Sequence, residues 1–181
     1  MMDNMAEKKN IAIAVVGIVI AIVVAASIFL IIQPNDNTNN NEIFEGKYFL
    51  YDISGTDEDG DEYGGTVEFE VVKTTNERIQ VKFTFNITKG GVDVEMPEIA
   101  PQWIRYTDKG PGGTFVEAKT ITGTPWGDVD VKGYRQVILM LNAVIFGGVD
   151  DAVPYELQLN VNMGGLKGLL IGSLKDTDFL P

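Results

Sequence analysis

The sequence predicts an all-β fold, an antiparallel curved sheet (half-barrel) or a β-sandwich, preceded by one N-terminal transmembrane helix. Three observations predict it. A run of 22 uncharged, almost wholly apolar residues lies near the start, apolar residues recur at every second position over most of the remaining chain, and glycine-rich turn sequences separate those alternating runs.

The apolar run is residues 11–32, IAIAVVGIVIAIVVAASIFLII. As a helix it reaches about 33 Å at about 1.5 Å per residue, enough to cross a hydrocarbon core of about 30 Å. A helix of a soluble core would carry a polar stripe, whereas Ser27 is the sole hydroxyl in this one. Ala25-Ala26-Ser27 has the small side chains of a cleavage site, but the apolar residues 28–32 follow at once and the run exceeds the length of a secretory h-region. An uncleaved signal anchor in the lipid bilayer is therefore expected. Lys8 and Lys9 abut the span on its N-terminal side, and no cation follows it before Lys47. That asymmetry keeps residues 1–10 in the cytoplasm and puts the bulk of the chain on the extracytoplasmic side of the cell membrane. Gly17, Ala21 and Ala25 recur every fourth residue, a small-residue stripe through which two copies could approach as a homo-oligomer.

Residues 33–44 read as a linker, since Pro34 ends the helix and NDNTNNN has nothing to bury. Residues 45–181 then have the composition of one folded extracytoplasmic domain. Its clearest strand is 78–88, where Ile79, Val81, Phe83, Phe85 and Ile87 alternate with Gln80, Lys82, Thr84, Asn86 and Thr88. Val67, Phe69 and Val71 alternate with acids and a threonine before it, and Tyr155, Leu157, Leu159 and Val161 alternate with polar residues near the end. Further strands are expected at 47–54, 114–122, 128–142 and 166–174. Turns are expected at Asp59-Gly60, Lys89-Gly90-Gly91, 109–113, Pro125-Trp126-Gly127-Asp128, Gly147-Gly148 and Gly164-Gly165.

Composition excludes whole classes of function. The formal charge is -12, from 26 acids against 14 bases, and a nucleic-acid partner requires the opposite. With no His and no Cys there is no Ser/His/Asp triad, thiol nucleophile, disulfide, Cys/His zinc site or c-type haem. Asp52-Ile53-Ser54-Gly55 lacks the aspartic-protease signature. The acidic pairs Asp150-Asp151 and Asp176/Asp178 read as solvated loops rather than catalytic dyads. No catalytic residue is expected and the chain is read as a non-enzyme without a cofactor.

Two features could bind. Asp57, Asp59 and Asp61 in DEDGDE offer hard oxygen ligands for Ca²⁺, although Gly stands fourth where an EF-hand needs it sixth, and the plain reading is an exposed hairpin tip. Trp103 and Trp126 could stack on an apolar or glycan ligand, the plain reading being that each covers the end of a sheet. Asn86-Ile87-Thr88 matches a glycosylation sequon.

The long antiparallel meander, the Thr-Pro-Trp-Gly-Asp turn leading into a strand and the closing hairpin ending at 174–177 resemble the half-barrel lipoprotein carriers of the LolA and LppX type, and the chain is also similar to small anchored surface proteins of some archaea. The first resemblance implies an apolar concavity for an acyl chain and no catalytic residues; it departs from this chain in that those carriers are soluble or lipidated through a Cys. Archaeal pilins and the anchored stator subunits of the archaeal motility filament also place one apolar helix before a β domain. Asn10 at the would-be cut and Pro34 at the helix end do not suit a processed pilin, which leaves an unprocessed, stator-like structural subunit as the alternative to a ligand-binding module at the cell surface.

Overall fold

The computed structural model describes residues 45–75, 77–95, 98–105, 113–138, 141–151, 153–163 and 166–180. The expected tail, span and linker over 1–44, with the Gly17, Ala21 and Ala25 stripe, lie outside them. Among the described residues no helix is long and apolar enough to cross a membrane.

Among the described residues ten strands form a single antiparallel sheet: β1 (Tyr48–Asp57), β2 (Glu62–Thr74), β3 (Arg78–Lys89), β4 (Val92–Asp93), β5 (Gln102–Arg105), β6 (Thr114–Thr124), β7 (Gly127–Ile138), β8 (Leu141–Gly148), β9 (Pro154–Met163) and β10 (Leu166–Thr177). Their order across the sheet is β4-β3-β2-β1-β10-β9-β8-β7-β6, with β5 also paired to β3. Two meanders are thus joined where the first long strand meets the last, Phe49 opposite Thr177 and Asp57 opposite Gly168. The sheet curves without closing into a barrel, so the half-barrel forms and the sandwich does not.

The period-2 alternation decides which face turns inward. Phe49, Tyr51 and Ile53 of β1, Val67, Phe69 and Val71 of β2, Ile79, Val81, Phe83 and Ile87 of β3, and Tyr155, Leu157 and Leu159 of β9 are all buried in one cluster. A bulge between Val71 and Lys73 shifts the parity of β2, so that Thr74 rather than Lys73 faces inward. Phe146 is buried on the other side of β8, beneath Lys119, whose ammonium lies 3.9 Å from the ring centroid and 2.7 Å from Glu156 Oε1.

Several expectations need correction. The strand expected over 128–142 is two strands, β7 and β8, paired Ile138 to Leu141 across the chain reversal. Gly147-Gly148 is not a turn but the end of β8; the reversal comes at 149–151. The Cβ of any residue at Gly148 would collide with the Asp151 carboxyl, which explains the glycine inside a strand. β1 continues to Asp57 and β2 begins at Glu62, so the acidic tip is shorter than the alternation suggested. Strand β6 is not half-buried: it lies last in the sheet, and most of its residues on both faces are exposed.

Candidate functional site

The pairing registers fix which loops share an end of the sheet. Where β1 begins, β10 ends, and the same end carries the β6–β7 turn, the β8–β9 turn and residues 178–180. The opposite end carries the acidic β1–β2 turn.

At the first end the chain builds an open cleft. In the β6–β7 turn Thr124 Oγ1 accepts from the Trp126 N–H at 3.2 Å and donates to the Gly127 carbonyl at 2.6 Å, clasping Pro125 and Trp126. The Val149 N–H donates to the Asp130 carbonyl at 2.9 Å and ties the β8–β9 turn to β7. Within the second turn, the two oxygens of Asp151 accept from the Val153 N–H at 2.8 Å and the Tyr155 hydroxyl at 2.7 Å. The Tyr155 ring, 4% exposed, meets the Trp126 ring edge to face at 5.8 Å. Between the turns lies a cleft of about 350 Å³. Trp126, Val129, Val149, Tyr155 and Leu180 are its apolar lining residues, and Asp128, Asp130, Asp150 and Asp151 are its acidic ones. Burial, followed by the hydrogen bond to Asp151, pushes the Tyr155 phenol well above its ordinary range, so it stays a donor to Asp151.

Trp126 is therefore placed at a cleft, whereas Trp103 is not among the residues that line it. Trp103 sits on β5, 38% exposed, with the Arg78 guanidinium 4.3 Å from its ring centroid. In sheet order the two tryptophans belong to opposite edges. Sequence reasoning missed Tyr155, Leu180, Asp128 and Asp130 as partners of Trp126, because only the strand order brings the two turns together. The acid-bearing sequences WGDVD and VDD were the visible signal, and they gave no hint of adjacency.

The expected Ca²⁺ residues lie at the far end in a turn with its own counter-charge. Asp57 Oδ1 accepts from the N–H groups of Asp59 and Asp61 at 3.0 and 2.9 Å, and its Oδ2 accepts from the Tyr63 hydroxyl at 3.2 Å. Lys89 bridges Asp57 at 3.3 Å and Asp61 at 2.7 Å. Among the described residues no three acidic groups come together to hold a metal ion. Burial would push the Asp57 carboxyl up, but the N–H of Asp61, Lys89 and Tyr63 outweigh it and hold it below the ordinary range. Burial would likewise lower Lys89, but the two acids and Tyr63 raise it.

These shifts fix the pH dependence of the turn. The contribution of Asp57 is present above the ordinary carboxylate pKa of about 4 and is lost as pH falls through its lower folded value; that of Lys89 is present below about 10.4 and is lost only as pH rises through its higher folded value. Asp57→Asn is expected to cost about 2–3 kcal/mol at pH 7 and to flatten the acid limb of a stability-against-pH curve, which urea unfolding from pH 2 to 8 checks.

Asp176 and Asp178 hold the C-terminal residues to β1. Asp178 Oδ1 accepts from the Tyr48 N–H at 2.8 Å and Asp176 Oδ2 from the Tyr48 hydroxyl at 2.7 Å, while Phe179 stacks on Phe49 at 4.4 Å, which straps the C-terminal residues over the start of β1. Asn86 is exposed on the outer face of β3.

No protein-family model matches the sequence, and no curated protein matches it. Among solved structures, a de novo designed fluorescence-activating β-barrel is similar over 77% of this chain and 98% of its own, at 16% identity and a TM-score of 0.21. A likeness at that level bears on neither fold nor function; the fold rests on the strand pairings.

Proposed function

We propose that the chain is a single-pass, membrane-anchored protein whose extracytoplasmic β domain is a non-enzymatic binding module, and that it takes a glycan at the cleft between the β6–β7 and β8–β9 turns. One observation carries this reading: an open cleft lined by an aromatic side chain and by aspartates stands at the end of the sheet, while the concave side is packed with fully buried side chains such as Phe49, Tyr51, Phe69 and Leu157. An acyl chain would need that packed space. A sugar ring needs a flat apolar surface for its C–H face and acceptors for its hydroxyls, which Trp126 and the surrounding aspartates offer. In this reading the apolar run 11–32 is the anchor.

Glycan-array binding of the full chain in nanodiscs tests the reading. Trp126→Ala is expected to weaken the best ligand at least about tenfold, roughly the 1.4 kcal/mol that ring stacking supplies, and Trp103→Ala to leave it unchanged. Undiminished binding by Trp126→Ala would remove the cleft from the account.

A second reading, a structural or stator-like subunit that engages an envelope layer by a sheet edge, is favoured by β6. That strand ends the sheet and exposes Phe115 at 55%, its ring 6.1 Å from the half-exposed Tyr134. Under that reading Phe115→Lys disrupts assembly, whereas glycan capture does not depend on it.

A further inference from the structure

The cleft also constrains the charge of its occupant. Resting on the glycan-binding reading, we propose that the ligand is cationic, a sugar that carries a protonated amine, seated with its ring against Trp126 and its ammonium among Asp128, Asp130, Asp150 and Asp151.

Three independent features meet here. The first is the cavity: at about 350 Å³ it stands at the small end of ligand pockets and suits a single ring better than a long chain. The second is its wall, where the half-buried indole of Trp126, braced edge to face by the buried Tyr155 ring, supplies an aromatic surface of the kind to which a cation is drawn. The third is the absence, among the described residues, of an internal counter-charge. Elsewhere in the domain acids meet lysines: Asp57 and Asp61 meet Lys89, Asp52 meets Lys175, Glu70 meets Lys82 and Glu156 meets Lys119. Among the described residues no Lys or Arg pairs with any of the four aspartates of the cleft.

Neutral donors meet Asp128, Asp130 and Asp151 without cancelling their charge. Asp130 accepts from the Thr120 hydroxyl at 2.7 Å, and Asp151 from the Tyr155 hydroxyl and the Val153 N–H. Carboxylates spread around a cleft with low-dielectric walls focus a negative potential into it, and the -12 of the whole chain adds long-range attraction for a cation. A bare metal ion is a poor occupant, since no three acidic groups among the described residues come together on one point. An ammonium on a ring of sugar size needs no such convergence. Its donors reach separate acceptors while the C–H face rests on the indole.

The test compares two probes that share a sugar backbone, one carrying protonated amines and the other neutral acetamides, and the salt dependence isolates the part of the difference that is charge. The full chain in nanodiscs is titrated, by calorimetry, with a glucosamine tetramer and with the N-acetylglucosamine tetramer at pH 6 and low salt. The amine form is expected to bind at least about tenfold tighter, and the gap is expected to shrink as NaCl rises toward 1 M, where screening acts within about 3 Å. Asp150 is exposed and makes no ion pair in the described residues, so Asp150→Asn leaves the fold intact; it is expected to weaken the amine form up to about fivefold, as a single exposed charge pair does, and by a larger factor than it weakens the acetylated form. Equal affinity for the two tetramers overturns the cationic ligand and leaves the glycan reading standing. Heat from neither tetramer, together with no binding on the array, overturns both.

Discussion

Replacing Phe69 by Ala is expected to lower the stability of the β domain by about 3–5 kcal/mol, a large share of the roughly 5–15 kcal/mol that a domain of this size possesses. The reason is position. Phe69 is fully buried on β2, directly opposite Phe49 on β1 and Phe83 on β3. Its ring meets Tyr51 at 5.8 Å and Phe83 at 5.5 Å, both edge to face. Truncation removes the ring's own burial and leaves a cavity whose walls are strands held in register, so they cannot collapse inward. It also loosens Tyr51, whose buried hydroxyl donates to the Pro154 carbonyl at 2.7 Å and joins the first meander to the second. Urea unfolding of the full chain in detergent micelles, followed by tryptophan fluorescence, reads the loss as a lower midpoint at constant slope. A loss below about 1 kcal/mol would mean that the concave face is not packed as described.

Gly65→Ala is expected to cost about 4 kcal/mol or more, while Gly64→Ala next to it is expected to stay within about 1 kcal/mol. Gly65 has a φ of 132°, a region that residues with a side chain avoid. A Cβ there would strike the backbone carbonyl of Asn86 on β3, and neither strand can move away without giving up the β2–β3 ladder. At Gly64 the nearest atom to an added Cβ is Thr88 Oγ1 at 3.5 Å, an ordinary contact. The two variants differ by one position and share composition, so the same unfolding experiment separates backbone geometry from strand propensity. Similar midpoints for both would contradict the close approach of β2 and β3.

Much of the sheet was legible because one face of each strand is wet. In β3 the alternation from Ile79 to Ile87 named the inward set, of which Ile79, Val81, Phe83 and Ile87 are buried and Phe85 partly so. The Thr-Pro-Trp-Gly-Asp sequence marked the β6–β7 turn through its turn chemistry. The β7–β8 reversal was illegible, since Val137 to Leu141 is an unbroken apolar run without Gly, Pro, Asn or Asp to announce it. Gly147 and Gly148 misled for the opposite reason: the space at Gly148 is taken by Asp151, a demand of packing that a sequence writes in the same letters as a turn. The candidate site was legible only in Trp126. Its partners come from a turn two strands further along the chain, and no local pattern states that Val149 lies against Asp130.

The claim on which the functional account stands is that ligand enters the end cleft and not the concave face. Chemical-shift mapping of the isotope-labelled full chain in micelles, titrated with the glucosamine tetramer, tests it directly. Shifts confined to residues 126–130, 149–155 and 180 are expected; shifts centred on Phe69, Phe83 and Leu157, with the cleft silent, would contradict it.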